Sequence, residues 1–186
     1  MPERGPQPAP EAEGVLVPVG PLDPSILEYL ALVLPESTGM AFRVSERALS
    51  ADAAYDPVRR QWNAGLILAQ LDEQEAWKGA RRVLGVADLD LFIPILTFVF
   101  GLAHLGSRCA LVSLHRLRTE FYGLPPASEL LLTRLEKEAV HELGHTWRLT
   151  HCDDYSCVMH YSNAVEEVDL KTAEFCPRCR AGAGLP

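Results

Sequence analysis

No stretch of this chain approaches the roughly 20 consecutive apolar residues that a membrane-spanning helix needs. The most apolar run, Leu89–Leu105, is interrupted by Asp90, Pro94 and His104, so it reads as core strands. Positive charge is scarce: 17 Lys and Arg stand against 25 Asp and Glu, for a net charge of −8. That argues against the basic footprint of a nucleic-acid binder. Met1–Gly14 carries no apolar segment of the secretory kind. Its Pro, Glu and Gly content predicts a disordered tail over 1–14, and the composition of 181–186 predicts a second one. Cysteine is sparse and odd in number, with five in 186 residues. In a chain without a secretory signal, metal binding accounts for them better than a disulfide framework, and the expected location is cytoplasmic. Neither an internal repeat nor a low-complexity linker interrupts the middle of the chain.

What remains fits one domain over residues 15–180, in which 151–180 form a small lobe. Apolar residues make up 48% of the chain, enough for a buried core. Val15–Val19 reads as a first strand, Pro24–Leu34 as a helix, and Met40–Val44 as a second strand. Asp56-Pro57 predicts the start of a helix running to about Leu71, with Pro57 at its first position and Trp62, Leu66, Leu68 and Leu71 as its stripe. Arg82–Phe92 alternates as a strand, and Thr97–Ala103 and Ala110–Leu114 follow, with Gly106 in the turn between them. After Pro125-Pro126, Ser128 can cap a helix running through about Arg148. Leu132, Leu135, Ala139, Leu143 and Trp147 lie on one side of it, and His141 and His145 almost opposite.

His141-Glu142-Leu-Gly-His145 places two imidazoles one helical turn apart, where they can share a metal. Glu142 is rotated away from the ligand set but can reach a water held there. His151 joins only if the helix stops soon after His145 and the chain folds back. Three neutral imidazoles leave a tetrahedral Zn²⁺ one open position, which is the arrangement of a catalytic site. A bare H-E-x-x-H also recurs by chance, as two unrelated histidines on a surface helix; the third His, the Cys after it and Met159 argue against that. Cys152 and Cys157 then bracket four residues, and Cys176 and Cys179 bracket two. Four soft thiolates at such spacing suit a closed, structural Zn²⁺. The residues thus predict two Zn²⁺ per chain. Cys109 stands apart and reads as a buried thiol.

A histidine triad of this spacing followed by a Met resembles the metzincin clan of zinc peptidases. Cys152, Cys157, Met159 and the terminal Cys176-x-x-Cys179 resemble the archaemetzincins in particular. Weaker likeness runs through Arg60-Gln61-Trp62-Asn63, Val83–Leu91, Phe98–Gly101 and Val112–Leu117, so that the resemblance spans nearly the whole foldable chain. It implies an α/β fold: a twisted mixed sheet, an active-site helix and a small zinc-bound C-terminal lobe. It also implies that His141, His145 and His151 ligate the catalytic zinc, that Glu142 is the general base, and that Met159 forms an apolar floor beneath the ligands. Tyr161 is implied either as a holder of the oxyanion or as a wall of the substrate pocket. Two departures stand out. Arg148 occupies a position where the family has Gly, which predicts a strained left-handed turn. Leu102 stands where the family often has Glu.

The expected activity is therefore zinc-dependent hydrolysis of peptide bonds in a peptide or protein substrate, by an aminopeptidase or an endopeptidase. The alternative is a zinc-holding, peptide-binding module of the same scaffold that turns over weakly or not at all. A nucleic-acid-binding role for the cysteine lobe would have only Lys171, Arg178 and Arg180 to offer, against a net acidity that opposes it. Glu138 reads as a solvated helix charge, with support of the metal ligands as the lesser alternative, His160 as a polar turn residue, and His104 and His115 as structural or exposed residues. Glu166-Glu167 carries no assignment, and oligomeric state is not legible.

Overall fold

The computed structural model describes residues 13–185. Most of the disordered tail expected over 1–14 lies outside them, as does residue 186. Strand β1 (Gly14–Val19) is followed by α1 (Pro24–Thr38), β2 (Phe42–Val44), β3 (Tyr55–Asp56), β4 (Gln61–Asn63) and α2 (Ala64–Glu73). Then come β5 (Arg82–Ala87), β6 (Leu91–Phe92), β7 (Gly101–Ala103), β8 (Cys109–Ser113), α3 (Ser128–Thr146), α4 (Val165–Leu170) and α5 (Pro177–Ala183). The main sheet has the order β2-β1-β5-β8-β7, parallel except for β7, which runs antiparallel to β8 at one edge. A small sheet, β3-β4-β6, lies beside it.

Alternation along the central strands explains the layering. Leu16, Leu84, Ala110 and Val112 face α1 and α3, where Leu30, Leu34, Leu135, Ala139 and Leu143 meet them. Val15, Val17, Val83 and Leu111 face α2, against Ile67, Leu68 and Leu71. A sheet covered on both faces needs apolar side chains at nearly every position, which is why β1, β5 and β8 are buried along almost their whole length, and why β5 does not show the one-sided alternation expected over Arg82–Phe92. The α/β architecture with a twisted mixed sheet is the one expected.

Several boundaries differ from the sequence reading. The helix placed at Asp56-Pro57 begins only at Ala64. Asp56 Oδ1 accepts from the Val58 and Arg59 amides at 2.8 and 3.1 Å, turning the chain into a β3–β4 hairpin in which Arg60 is left-handed at φ 56. Asn63 then caps α2 by accepting from Gly65 N and Leu66 N. Leu66 is exposed and Trp62 belongs to β4, so the proposed stripe mixed two elements. The long strand Arg82–Phe92 breaks at Asp88–Asp90, whose carboxylates pair with Arg118 and Arg116 and divert the chain to β6. Only Gly101–Ala103 of the Thr97–Ala103 strand pairs. Gly106 sits in the β7–β8 turn at φ 73, as expected. At the end of the chain, 181–183 complete α5 instead of fraying, and Gly184 caps it in the left-handed conformation.

Candidate metal centres and the cleft between them and the edge strand

His141 and His145 leave α3 on the same side, and each ring is fixed by its far nitrogen. His141 Nδ1 lies 2.7 Å from the Val158 carbonyl, and His145 Nδ1 lies 2.8 Å from that of Leu149. A carbonyl can only accept, so each Nδ1 carries the proton and each Nε2 presents a lone pair. These two Nε2 atoms face each other at 3.1 Å. Two lone pairs so placed repel unless a cation sits against both. Zinc–nitrogen bonds of about 2.0–2.1 Å put tetrahedral ligand atoms roughly 3.3 Å apart, close to what is seen. His151 completes the cluster: its ring centroid is 5.4 Å from that of His141 and 5.2 Å from that of His145. The ligand atoms of all three lie within 4.8 Å of one another and could hold a metal ion.

The return of His151 depends on the helix end. α3 stops at Thr146, and Arg148 adopts φ 67, the left-handed turn that its position predicts. Its side chain lies along Gly106, whose amide donates to the His145 carbonyl at 2.9 Å. The helix end is thus stitched to the β7–β8 turn. Burial pushes all three imidazoles below their ordinary range, and the positive charge of Lys171 adds to this. They are therefore held neutral, the form that ligates.

Glu142 is buried, which pushes its carboxyl well above the usual range; the nearby Glu138 adds to this and Lys171 opposes it. A Cβ on Gly101 would come within 2.6 Å of Glu142 Cγ and 2.8 Å of its Oε1, so the side chain lies against the backbone of β7. The cleft between α3 and β7 has a volume of about 600 Å³. Its edge-strand side includes Phe98, Phe100 and Leu102, and its far wall includes Tyr161 and Ser162. Tyr161 is half exposed, with its ring centroid 5.8 Å from that of His151. Met159 is fully buried beneath α3, where a Cβ on Gly144 would drive into its sulfur.

The four cysteines after His151 converge as well. Their sulfurs lie within 4.8 Å of one another, with Cys152 and Cys176 3.8 Å apart, and none is disulfide-bonded. Zinc–sulfur bonds of about 2.3 Å give a tetrahedral edge near 3.8 Å. Burial pushes the Cys152 thiol up, but the Asp154 amide and the Arg178 guanidinium, 3.2 Å away, outweigh it and bring the thiol down to about 7. The two clusters are joined through the backbone. Cys152 N donates to the Met159 carbonyl at 3.0 Å, and His160 Nδ1 donates to the Cys152 carbonyl at 2.8 Å.

Three site features were missed in the sequence. Gly101 and Gly144 make the close approaches just described, and an isolated Gly is the only signal either offers. Glu138 is not solvated: it is 4% exposed and pairs at 2.8 Å with Lys171, itself 2% exposed. The three cations of the supposed basic patch are all engaged, Lys171 with Glu138, Arg178 with Cys152 and Arg180 with Glu174. His115 packs edge-on to Phe121, and neither it nor His104 joins a metal-competent group among the described residues.

A mixed α/β fold whose long helix brings imidazoles and a buried carboxylate to one cleft is the architecture of a metallopeptidase. Comparison with known proteins makes this specific. The family model Peptidase family M54 matches residues 34–182. The archaemetzincin of Thermococcus kodakarensis is 46% identical over 127 residues, 68% of each chain. The crystal structure of archaemetzincin from Methanopyrus kandleri superimposes with a TM-score of 0.79 at 34% identity, over 95% of this chain and 96% of that one. A zinc-dependent peptidase from Methanocorpusculum labreanum gives 0.81 at 28% identity, over 91% and 99%. The chain belongs to peptidase family M54, the archaemetzincins, a family of zinc metallopeptidases. No helix among the described residues is long and apolar enough to cross a membrane.

Proposed function

We propose that His141, His145 and His151 hold the catalytic zinc, that Glu142 is the general base, and that Cys152, Cys157, Cys176 and Cys179 hold a second, structural zinc. The observation that carries this reading is the pair of Nε2 lone pairs facing each other at 3.1 Å with both Nδ1 atoms tied to carbonyls. When bound, the metal supplies Lewis acidity to the scissile carbonyl and to the attacking water. The protein's part follows from its own groups. The edge strand β7 offers backbone pairing to an extended peptide. Glu142, pressed against Gly101, stands where that peptide's carbonyl carbon meets water. It takes the water's proton and returns it to the leaving amine. Tyr161 and Ser162 wall the pocket on the other side of the cut. The closed thiol set fixes the lobe, residues 151–180, that carries this wall. Four unbridged thiols suit a reducing, cytoplasmic setting.

The experiment is Glu142→Gln assayed on a peptide library with zinc content measured in parallel. The expected result is a loss of about 10²–10⁴ in kcat at unchanged zinc content. Equal cleavage by both forms removes the mechanism. A fully zinc-loaded wild type that cleaves no peptide returns the chain to a binding role.

A further inference from the structure

We propose that Lys171 is a positioning residue that holds the Glu138 carboxylate out of the three-imidazole site, keeping that site open. The inference rests on the reading of His141, His145 and His151 as a metal site.

Glu138 precedes His141 by three residues and Glu142 by four, so it shares their side of α3 and lines the same cleft. Glu and His at this helical spacing form a common pair of co-ligands. Carboxylate oxygen also bonds zinc at about 2.0–2.2 Å. A buried carboxylate one turn from His141, in the cleft that all three imidazoles line, is therefore a ready fourth ligand. A fourth protein ligand would make the site closed, the form that serves structure instead of chemistry. Yet Glu138 is not part of the group whose donor atoms lie within 4.8 Å.

Lys171 accounts for this. Its ammonium lies 2.8 Å from Glu138 Oε1 and donates to the His160 carbonyl at 3.2 Å. The attachment point of Lys171 is itself fixed. It follows α4, in whose last turn the Val168 and Asp169 carbonyls each accept from Lys137 Nζ at 3.1 Å. Arg134 grips the Asp169 carboxylate with two hydrogen bonds of 2.7 Å. The C-terminal lobe thus delivers one ammonium to a set place between the active-site helix and the turn after Met159. An ammonium is a compact charge: it holds the carboxylate here by charge contact, since Glu138 Oε1 accepts no aligned hydrogen bond, and the His160 carbonyl by a hydrogen bond.

The test compares wild type, Lys171→Met and the double variant Lys171→Met/Glu138→Gln. The cysteine cluster is filled with zinc and the histidine site with cobalt. The readouts are the visible cobalt spectrum, the rate of cobalt release to a chelator and peptide hydrolysis. In Lys171→Met the released carboxylate is expected to change the cobalt band, slow release by about tenfold or more, and lower kcat by roughly 10–100-fold, the size seen when groups around a metal site are lost. Adding Glu138→Gln is expected to reverse all three. If Lys171→Met does not fold, Lys171→Gln keeps a neutral donor to the His160 carbonyl and is read in the same way. An unchanged spectrum and release rate in the folded single variant, or changes that Glu138→Gln fails to reverse, overturn the proposal. A wild type that takes up no cobalt at the histidines overturns instead the metal-site reading beneath it.

Discussion

Arg148 shows how a single residue can be unfavourable and still fit. A left-handed backbone costs a non-glycine residue about 1–2 kcal/mol, and at φ 67 Arg148 bears that cost. Arg148→Gly is expected to raise stability by about 1 kcal/mol, the relief being offset in part by the freedom glycine gains when unfolded. Denaturant midpoints of the two proteins check this. Gly144 works in the opposite sense. A methyl group there meets Met159 Sδ and the Phe175 ring, so Gly144→Ala is expected to cost about 1–3 kcal/mol by overpacking, read from the same unfolding curves. A third expectation concerns protons. Burial lowers the folded pKa of His141, His145 and His151 from an ordinary 6.5. Such groups contribute stability that is full above 6.5 and is lost as pH falls toward their folded values. Glu142, with its pKa raised, acts the other way in the same range. In metal-free Glu142→Gln protein the opposing carboxylate is gone, so stability is expected to decline below pH 6.5 more steeply than in metal-free wild type. Unfolding measured across pH 4.5–7 decides it.

Among the elements, α3 was the most legible and the segments around α2 and β7 the least. A helix of nineteen residues repeats its pattern often enough to be read through local noise. The hairpin before α2 was lost because Asp56-Pro57 and the side chains that follow serve a turn as well as a helix start. The small elements after α3 have little apolar surface of their own: α4 buries Val165 and Val168, and α5 buries Cys179. Their placement leans on the cysteine cluster and on the cations of α3. Cys176→Ser is therefore expected to remove the zinc proposed for the cysteine cluster. Hydrogen exchange should quicken across 157–180 while β5 and β8 stay protected. Mass spectrometry of the intact and the exchanged protein reads both effects.

At the scale of the molecule, the two clusters share a backbone. His151 and Cys152 are adjacent, and residues 152, 159 and 160 are bonded to one another across the loop that carries the cysteines. Order at the cysteine cluster thus supports order at the histidine cluster. A mild chelator is expected to remove one zinc per chain, with loss of hydrolysis and little loss of fold. A strong chelator that strips the second is expected also to prevent zinc returning to the histidines at its former affinity. Zinc titration of the two partly stripped forms separates these outcomes.

The sequence alone determined the central strands, the long helix and the two donor sets, because each is written as residue type at a fixed local spacing. It also marked Arg148 as the residue that must turn the chain back. Tertiary structure alone decided what those residues meet. The burial of Glu138 against Lys171, the pressing of Glu142 on Gly101 and the seating of Met159 under Gly144 each join residues distant in the chain. No local period records such a pairing, since the energy that selects it appears only when separate elements have already packed.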